Sequence, residues 1–302
     1  MNFWKFYLVL MLFFCPIQLF AGEAPSYSKV EPKSVDLSPV WQAWDLVQKE
    51  FVDPKSLEDR KMIIGMIKGL LSGTGDTHSV FFTKGEFDKF LEARKDGSVE
   101  AEVFKIKSRR GKRLNLGYLK IKGFFEKTHE EVLEAAGEFK KNDVSAIILD
   151  LRKNTGGRLS SARGVCGAFI GPDKLILEKT GRKGAIQVFS LGERVFNGLP
   201  MVCLVNHYSA SASEVVAGAL RDHLGTKLIG VKTYGKGSIQ ENKEIDIGTI
   251  LITTYHWTTP KGFVVNGHGL DPDLHVENGE DGNRYKNDSQ LDRGIRVLLG
   301  ED

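Results

Sequence analysis

The second half of the chain alternates short, β-branched apolar runs with segments of helical periodicity. Residues 144–151 and 201–206 read Val-Ser-Ala-Ile-Ile-Leu-Asp-Leu and Met-Val-Cys-Leu-Val-Asn, which is typical of strands buried on both faces of a parallel sheet. Helical patterns at 158–170 and 211–224 follow these runs, and 227–231 reads as another strand. Because parallel neighbours need right-handed crossovers, the pattern predicts an α/β fold with a mostly parallel sheet and crossover helices.

The first hundred residues have a different pattern. A proline after Ser38 and apolar spacing up to Leu71 predict helices over 38–50 and 59–73, and Thr83 can cap a short helix around 87–93. Alternating residues over 99–121 predict a β-hairpin with a basic turn. We therefore expect an N-terminal helical region over 35–95 and an α/β core domain over 96–302.

Further predictions concern local structure, among them a strand over 249–257. Ser56 to Asp59 and Thr128 to Glu131 have the spacing of capping boxes, in which each side chain bonds the backbone of the other residue. Residues 263–265 are short and apolar and predict a strand, and 290–299 predicts a closing helix.

Residues 1–21 have the composition of a secretory signal peptide. One cation, Lys5, precedes an apolar run over 6–14, and small residues follow. Because this run is far shorter than the roughly 20 residues that span a bilayer, we expect export to the periplasm or the medium, with no stable membrane span.

Charge composition argues against a nucleic-acid partner. The chain has 42 Lys and Arg against 39 Asp and Glu, a formal net charge of +3. Nucleic-acid binding proteins usually carry a strong basic excess or a basic stripe. We therefore expect no nucleic-acid partner.

Removal of a signal peptide would leave two cysteines, Cys166 and Cys203, both in apolar surroundings. Two thiols in an exported protein could form a disulfide. They could equally be two buried free thiols. Their spacing does not suggest a metal site.

Lys236 lies between two glycines, Gly235 and Gly237. The preceding residues come close to a phosphate-binding loop, but Gly237 stands where such a loop needs Ser or Thr. Glycines on both sides allow another segment to approach the amine closely. Enclosure lowers a lysine pKa, which would make the neutral amine a general base. A solvent-facing lysine on a flexible turn is the alternative.

Ser211 is the candidate nucleophile for such a base, since it lies between a predicted strand and a predicted helix. With Glu214 it also has the spacing of a capping box, a purely structural role. The two roles are compatible because backbone N–H groups at a helix start can stabilise an oxyanion. Ala212 would supply one donor, and the turn over 154–157 could supply the second.

A histidine base is a further alternative. His78, His207, His223 and His268 all lie near predicted loops or helix ends. No Gly-x-Ser-x-Gly nucleophile elbow accompanies them.

These residues stand in six motifs that resemble those of the carboxyl-terminal processing proteases, also called tail-specific proteases. The motifs begin at Gly75 (Gly-Asp-Thr-His-Ser), Gly117 (Gly-Tyr-Leu-Lys-Ile), Leu149 (Leu-Asp-Leu-Arg-Lys-Asn-Thr-Gly-Gly), Val205 (Val-Asn-His-Tyr-Ser-Ala-Ser-Ala-Ser-Glu), Gly235 (Gly-Lys-Gly-Ser-Ile-Gln) and Gly267 (Gly-His-Gly-Leu-Asp-Pro-Asp). They occur in the order found in that family, and the resemblance runs from about residue 35 to the end.

The resemblance implies a crotonase/ClpP-like core and an exported serine endopeptidase with a Ser-Lys dyad. By position in the motifs, Ser211 would be the nucleophile, Lys236 the base and Gln240 the residue that orients the lysine. The amides of Gly157 and Ala212 would form the oxyanion hole. The family implies no metal and no organic cofactor.

Two departures from the family pattern qualify this expectation. The family usually has a PDZ domain between the segments of Ser79 and Gly117, and the interval here is too short for one. We expect a short β-hairpin in its place. Thr77 also stands where the family commonly has proline.

The resemblance predicts cleavage of protein substrates through an acyl-enzyme. Two alternatives remain open at this level. The scaffold could be a noncatalytic module that binds a hydrophobic ligand or a protein, or the enzyme could be inactive until a partner protein delivers substrate or orders the site.

Overall fold

The computed structural model describes residues 35–92, 97–108, 111, 113–277 and 288–301. The predicted signal peptide lies outside these ranges. The chain divides into two compact units, one ending at Met62 and the other beginning at Ile63.

The first unit is helical. It contains α1 (Ser38–Glu50), a 3-10 turn (Pro54–Ser56) and the first residues of α2 (Asp59–Ser72). The predicted helices are confirmed, but the predicted box at Ser56 is wrong, because its hydroxyl bonds the carbonyl of Asp53 and closes the 3-10 turn. No residue of α1 is buried.

The second unit contains the sheets and the remaining helices. Its strands are β1 (Val80–Thr83), β2 (Val99–Lys107), β3 (Arg113–Ile121), β4 (Ala146–Asp150), β5 (Leu175–Gly181), β6 (Gly184–Phe189), β7 (Met201–Val205), β8 (Lys227–Gly230), β9 (Ser238–Ile245), β10 (Gly248–Thr258) and β11 (Leu274–His275). Its helices after α2 are α3 (Lys84–Glu92), α4 (Thr128–Lys141), α5 (Leu159–Ile170), α6 (Ala212–Leu224) and α7 (Ser289–Leu299). In the described ranges, no helix has the length and apolarity needed to cross a membrane.

The central sheet has six strands in the order β11-β8-β7-β4-β3-β2. All neighbours are parallel except the hairpin pair β2 and β3, which is antiparallel. The predicted mostly parallel sheet is therefore confirmed. The predicted hairpin is also present, and it forms one edge of this same sheet.

Both faces of the central sheet are covered, which explains the apolar run at the first four positions of β4. On β4, Ile147 and Leu149 face a core formed with α4, α5 and α6. Ile148 faces the opposite core, which includes Leu291 of α7. All five residues of β4 are buried.

A second sheet of five strands is antiparallel, with the order β1-β10-β5-β6 and β9 paired to β10. The predicted strand over 249–257 is confirmed as β10, whereas the hairpin of β5 and β6 was not predicted. The strand predicted over 263–265 is wrong, because only a single bridge joins Val264 to Thr258. Turns at Gly262 and Gly267, both with positive φ, bend the chain on either side of this segment.

The capping box predicted at Thr128 and Glu131 is also wrong. The Glu131 carboxylate accepts hydrogen bonds from the backbone N–H and the hydroxyl of Ser98, at 3.0 and 2.6 Å. Helix α4 is thereby tied to the segment before β2, a contact that local sequence cannot reveal.

The two cysteines are buried free thiols, so the disulfide alternative is wrong. Cys166 lies on α5 and Cys203 on β7. Burial raises the pKa of both thiols.

A buried ionic network joins the end of β4 to the start of α7. The Arg152 guanidinium contacts the carboxylates of Asp150 and Asp288, each at 2.7 Å. The hydroxyl of Tyr118 donates at 2.6 Å to Asp150 Oδ2, the same oxygen that the guanidinium contacts. Because Asp150 is fully buried, its charge depends on these partners.

We predict that Arg152→Gln lowers the free energy of unfolding by about 3–5 kcal/mol, because it leaves the buried Asp150 carboxylate without its cation. Urea unfolding followed by circular dichroism measures this change. Lys141→Gln, which removes an exposed partner of Glu138, should change stability by less than about 1 kcal/mol. Equal effects of the two substitutions would contradict this account of the network.

Candidate active site

Ser211 lies on a strained turn between β7 and α6. Its φ and ψ are 56° and −117°, a region that residues with a side chain rarely adopt and that is common at functional sites. The sequence lacks the Gly-x-Ser-x-Gly elbow, yet the turn from strand to helix has a strained serine at the same place in the fold.

The turn after β4 packs directly against this serine. A Cβ on Gly156, whose φ is +99°, would lie 2.8 Å from both the Ala210 carbonyl oxygen and the Ser211 Cβ. The turn is fixed there by Asn154, whose backbone carbonyl accepts from the N–H of Ala210 at 3.0 Å and the hydroxyl of Ser213 at 2.8 Å. Only glycine allows this approach.

The amides predicted for the oxyanion hole border the same turn. Phe124 pairs with the segment around Gly157, donating to the Gly156 carbonyl at 3.0 Å and accepting from the Arg158 N–H at 2.7 Å. The N–H of Gly157 takes no part in this bridge. Ala212 is the first residue of α6, where an N–H group has no acceptor within the helix.

Lys236 lies on the loop between β8 and β9, and a second loop encloses it. A Cβ on Gly235 would lie 2.8 Å from the Gly269 nitrogen, and one on Gly237 would lie 2.2 Å from the Asn266 nitrogen. The Lys236 carbonyl oxygen accepts from the indole of Trp257 at 3.3 Å. The lysine is half-buried, so the expected close approach of another segment is present and a fully solvent-facing lysine is not.

One buried carboxylate links the serine turn to the lysine loop. Glu214 Oε2 accepts from the backbone N–H groups of Ser211 at 2.8 Å and Lys236 at 2.9 Å. Its Oε1 accepts from the Gly235 N–H at 2.7 Å and the Thr233 hydroxyl at 2.5 Å. Burial raises the pKa of Glu214, and these four hydrogen bonds oppose that shift because they favour the carboxylate.

The spacing in the sequence predicted only a capping role for Glu214. The bond that Glu214 accepts from the Ser211 N–H is one of the two hydrogen bonds of that predicted capping box. The bonds to Thr233, Gly235 and Lys236 join residues 19 to 22 positions apart. The available signal in the sequence was an acidic residue in the first turn of a helix whose next residues are apolar. This signal does not identify the three distant hydrogen-bond partners.

Gln240 lies on β9 directly opposite Thr253 of β10. Its side-chain Nε2 donates to the hydroxyls of Ser238 and Thr253, both at 2.9 Å. These two bonds fix the plane of the amide.

His78 also reaches this region. It precedes β1, and the combination of burial and the nearby charge of Lys236 lowers the pKa of His78, although Asp76 opposes the shift. Asp76 holds the segment in place by accepting from the His78 N–H at 3.0 Å and the Ser79 hydroxyl at 2.5 Å. Burial disfavours the Asp76 carboxylate, but its hydrogen bonds with Ser79, Thr253 and His78 outweigh that effect and lower its pKa to about 2.

All five predicted site residues line one cavity of about 700 Å³, namely Gly157, Ser211, Ala212, Lys236 and Gln240. His78 lines it as well, whereas His207, His223 and His268 do not. Much of the remaining wall is apolar, including Phe82, Phe90, Phe125, Leu177, Ile239 and Trp257. Within the described ranges, no cluster of three or more His, Cys, Asp or Glu side chains could hold a metal ion.

This geometry is typical of serine-type hydrolases, in which a serine at a helix start attacks a carbonyl beside backbone amide donors. Residues 115–276 match Peptidase family S41. The chain belongs to this family of serine peptidases.

Comparison with known proteins agrees with this assignment. A probable CtpA-like serine protease of Staphylococcus haemolyticus is 32% identical over 240 residues, which cover 78% of this chain and 46% of that protein. A probable CtpA-like serine protease of Staphylococcus aureus is 35% identical over 190 residues, covering 61% of this chain and 38% of the relative. The chain thus spans less than half the length of these curated relatives.

The solved structure of a photosystem II D1 C-terminal processing protease is also similar. It superposes with a TM-score of 0.55 and 27% identity, covering 60% of this chain and 48% of that one. This likeness supports the resemblance to the carboxyl-terminal processing proteases and the predicted fold class.

We predict that Glu214→Gln destabilises the protein by about 2–4 kcal/mol and lowers proteolytic activity. The amide presents an N–H₂ group toward two donors that an oxygen accepted before, which leaves buried N–H groups without acceptors. Urea unfolding and cleavage of an unfolded protein measure the two effects.

Glu130→Gln is the matched control, since Glu130 is exposed and also lies in the first turn of a helix. It should behave as wild type. A Glu214→Gln protein of unchanged stability and activity would show that the bridge between the two loops is dispensable.

Proposed function

We propose that this protein is an exported serine endopeptidase, periplasmic or secreted, that cleaves protein or peptide substrates with a Ser211-Lys236 dyad. The observation that supports the proposal most strongly is that Ser211, Lys236, Gly157 and Ala212 line one cavity. The Glu214 carboxylate, which hydrogen-bonds both loops, supports it further.

In the proposed reaction, the uncharged amine of Lys236 takes the proton from the Ser211 hydroxyl while the Ser211 oxygen attacks the peptide carbonyl carbon. The N–H groups of Gly157 and Ala212 donate to the oxygen that becomes negative. The lysine then gives the proton to the leaving amine as the peptide C–N bond breaks. A water molecule, deprotonated by the same amine, releases the acyl group from Ser211.

Gln240 orients the lysine in this proposal. Its Nε2 is held by Ser238 and Thr253, and the remaining amide atom, Oε1, is an acceptor suited to a lysine amine. His78 lies in the same cavity, with a pKa below its ordinary value, and a histidine base is the competing assignment that experiment must separate.

We also propose that no PDZ domain lies between the segments of Ser79 and Gly117, with residues 35–95 as a helical region and 96–302 as the protease core. Residues 80–107 contain β1, α3 and β2, which supports the first point. A partner protein that delivers substrate or orders the site would fit a protease without a PDZ domain, and no cofactor is required by the chemistry above.

We expect Ser211→Ala and Lys236→Ala each to reduce cleavage of an unfolded protein by at least about a thousandfold, because the two groups act as a unit. His78→Ala should retain far more activity if lysine is the base. Gel or fluorescence assays of a labelled unfolded substrate measure the rates.

Lys232→Ala is the control, since this exposed lysine on the same loop pairs with Asp271 and does not line the cavity. It should retain wild-type activity. Undiminished cleavage by Ser211→Ala or Lys236→Ala would refute the dyad, and loss of activity in His78→Ala alone would assign the base to histidine.

A further inference from the structure

The charges around the candidate active-site cavity are unbalanced. Among the described residues that line it, the ionisable side chains are His78, Arg158 and Lys236, and none is an Asp or Glu. A cavity lined by cationic groups and apolar walls favours an anionic group on its ligand.

Arg158 is the charge in this set that persists through the reaction. A guanidinium does not lose its proton in proteins. Lys236 must be uncharged when it acts as base in the proposed mechanism, and burial lowers the pKa of His78. Among the described lining residues, Arg158 thus carries the positive charge that does not depend on a protonation step.

Arg158 is anchored next to the reacting atoms. It follows Gly157 directly, so their Cα atoms are about 3.8 Å apart. Its own N–H donates to the Phe124 carbonyl at 2.7 Å, and it precedes the first residue of α5 as the N-cap. A substrate held by the Gly157 amide would therefore lie beside Arg158, which lines the same cavity.

The Arg158 guanidinium is also available to exchange its present carboxylate partner for another one. Its partner is Glu126, at 3.5 Å, and the two side chains are 50% and 70% exposed. Such exposed pairs are weak. A substrate carboxylate can replace Glu126 and gain two parallel hydrogen bonds from the guanidinium fork.

We propose that Arg158 determines specificity by binding a carboxylate on the substrate close to the scissile bond. The carboxylate can belong to an Asp or Glu side chain or to the terminus of the substrate chain. The inference rests on the proposed function, because it assumes that substrates bind in this cavity.

Binding to the Ser211→Ala protein tests the proposal without requiring hydrolysis. Four fluorescent peptides share one apolar sequence and differ at two points. The Asp peptide, the uncharged Asn peptide and the Lys peptide differ at one internal position and all have an amidated terminus. The fourth peptide has the internal Asn and a free terminal carboxylate. Fluorescence anisotropy gives the dissociation constants.

We expect at least one of the two carboxylate peptides to bind roughly three to ten times more tightly than the uncharged peptide. A gain only for the Asp peptide assigns the site to acidic side chains, and a gain only for the free terminus assigns it to the chain end. Added to the Ser211→Ala background, Arg158→Gln should abolish the preference. Arg158→Lys should keep part of it, and Arg158→Glu should shift it to the Lys peptide.

Lys127→Gln is the matched control, since this exposed cation is adjacent to Glu126 and does not line the cavity. It should preserve the preference. Equal affinity for all four peptides, no binding of either carboxylate peptide, or a preference that survives Arg158→Gln would overturn the proposal. Failure of the proposed function is a different result, namely peptide cleavage that does not depend on Ser211.

Discussion

The candidate site depends on the buried carboxylate of Glu214. Its two oxygens accept four hydrogen bonds, from the serine turn on one side and the lysine loop on the other. Thr233 extends the connection, because its hydroxyl also accepts from the Leu270 N–H at 2.7 Å. A backbone hydrogen bond from the Tyr234 N–H to the Ser209 carbonyl at 3.0 Å also joins the two loops, and the carboxylate adds its four bonds to this contact.

The arrangement of the sheets explains why the loops meet at this point. The serine turn follows β7 and the glycine turn follows β4, which are parallel neighbours in the central sheet. Turns that leave the same end of adjacent parallel strands lie side by side. The lysine loop leaves the next strand, β8, and continues into β9 of the antiparallel sheet, so the cavity lies where the two sheets approach each other.

Local patterns in the sequence were sufficient to predict much of the central sheet and part of the candidate site. The apolar runs predicted the parallel strands because a strand covered on both faces consists mostly of apolar residues, and the glycines beside Lys236 predicted the close approach of another segment. The bridging role of Glu214 could not be predicted from the sequence, because three of its hydrogen-bond partners lie on a loop that is distant in the sequence. The hairpin of β5 and β6 was missed because all residues of β6 except Val188 are exposed, so its sequence does not alternate between buried apolar and exposed polar positions. Glu131 illustrates the same limit, as it bonds Ser98 in place of its local capping partner.

The central claim is that the Lys236 amine activates the Ser211 hydroxyl, while the Glu214 carboxylate holds the two loops together. Exposure to a fluorophosphonate, which phosphonylates an activated serine with loss of fluoride, tests it directly when followed by mass spectrometry. The account predicts one adduct per chain, on the peptide that contains Ser211, forming at least about a hundredfold more slowly in Lys236→Ala. Labelling at another serine, or an equal rate in the two proteins, would contradict it.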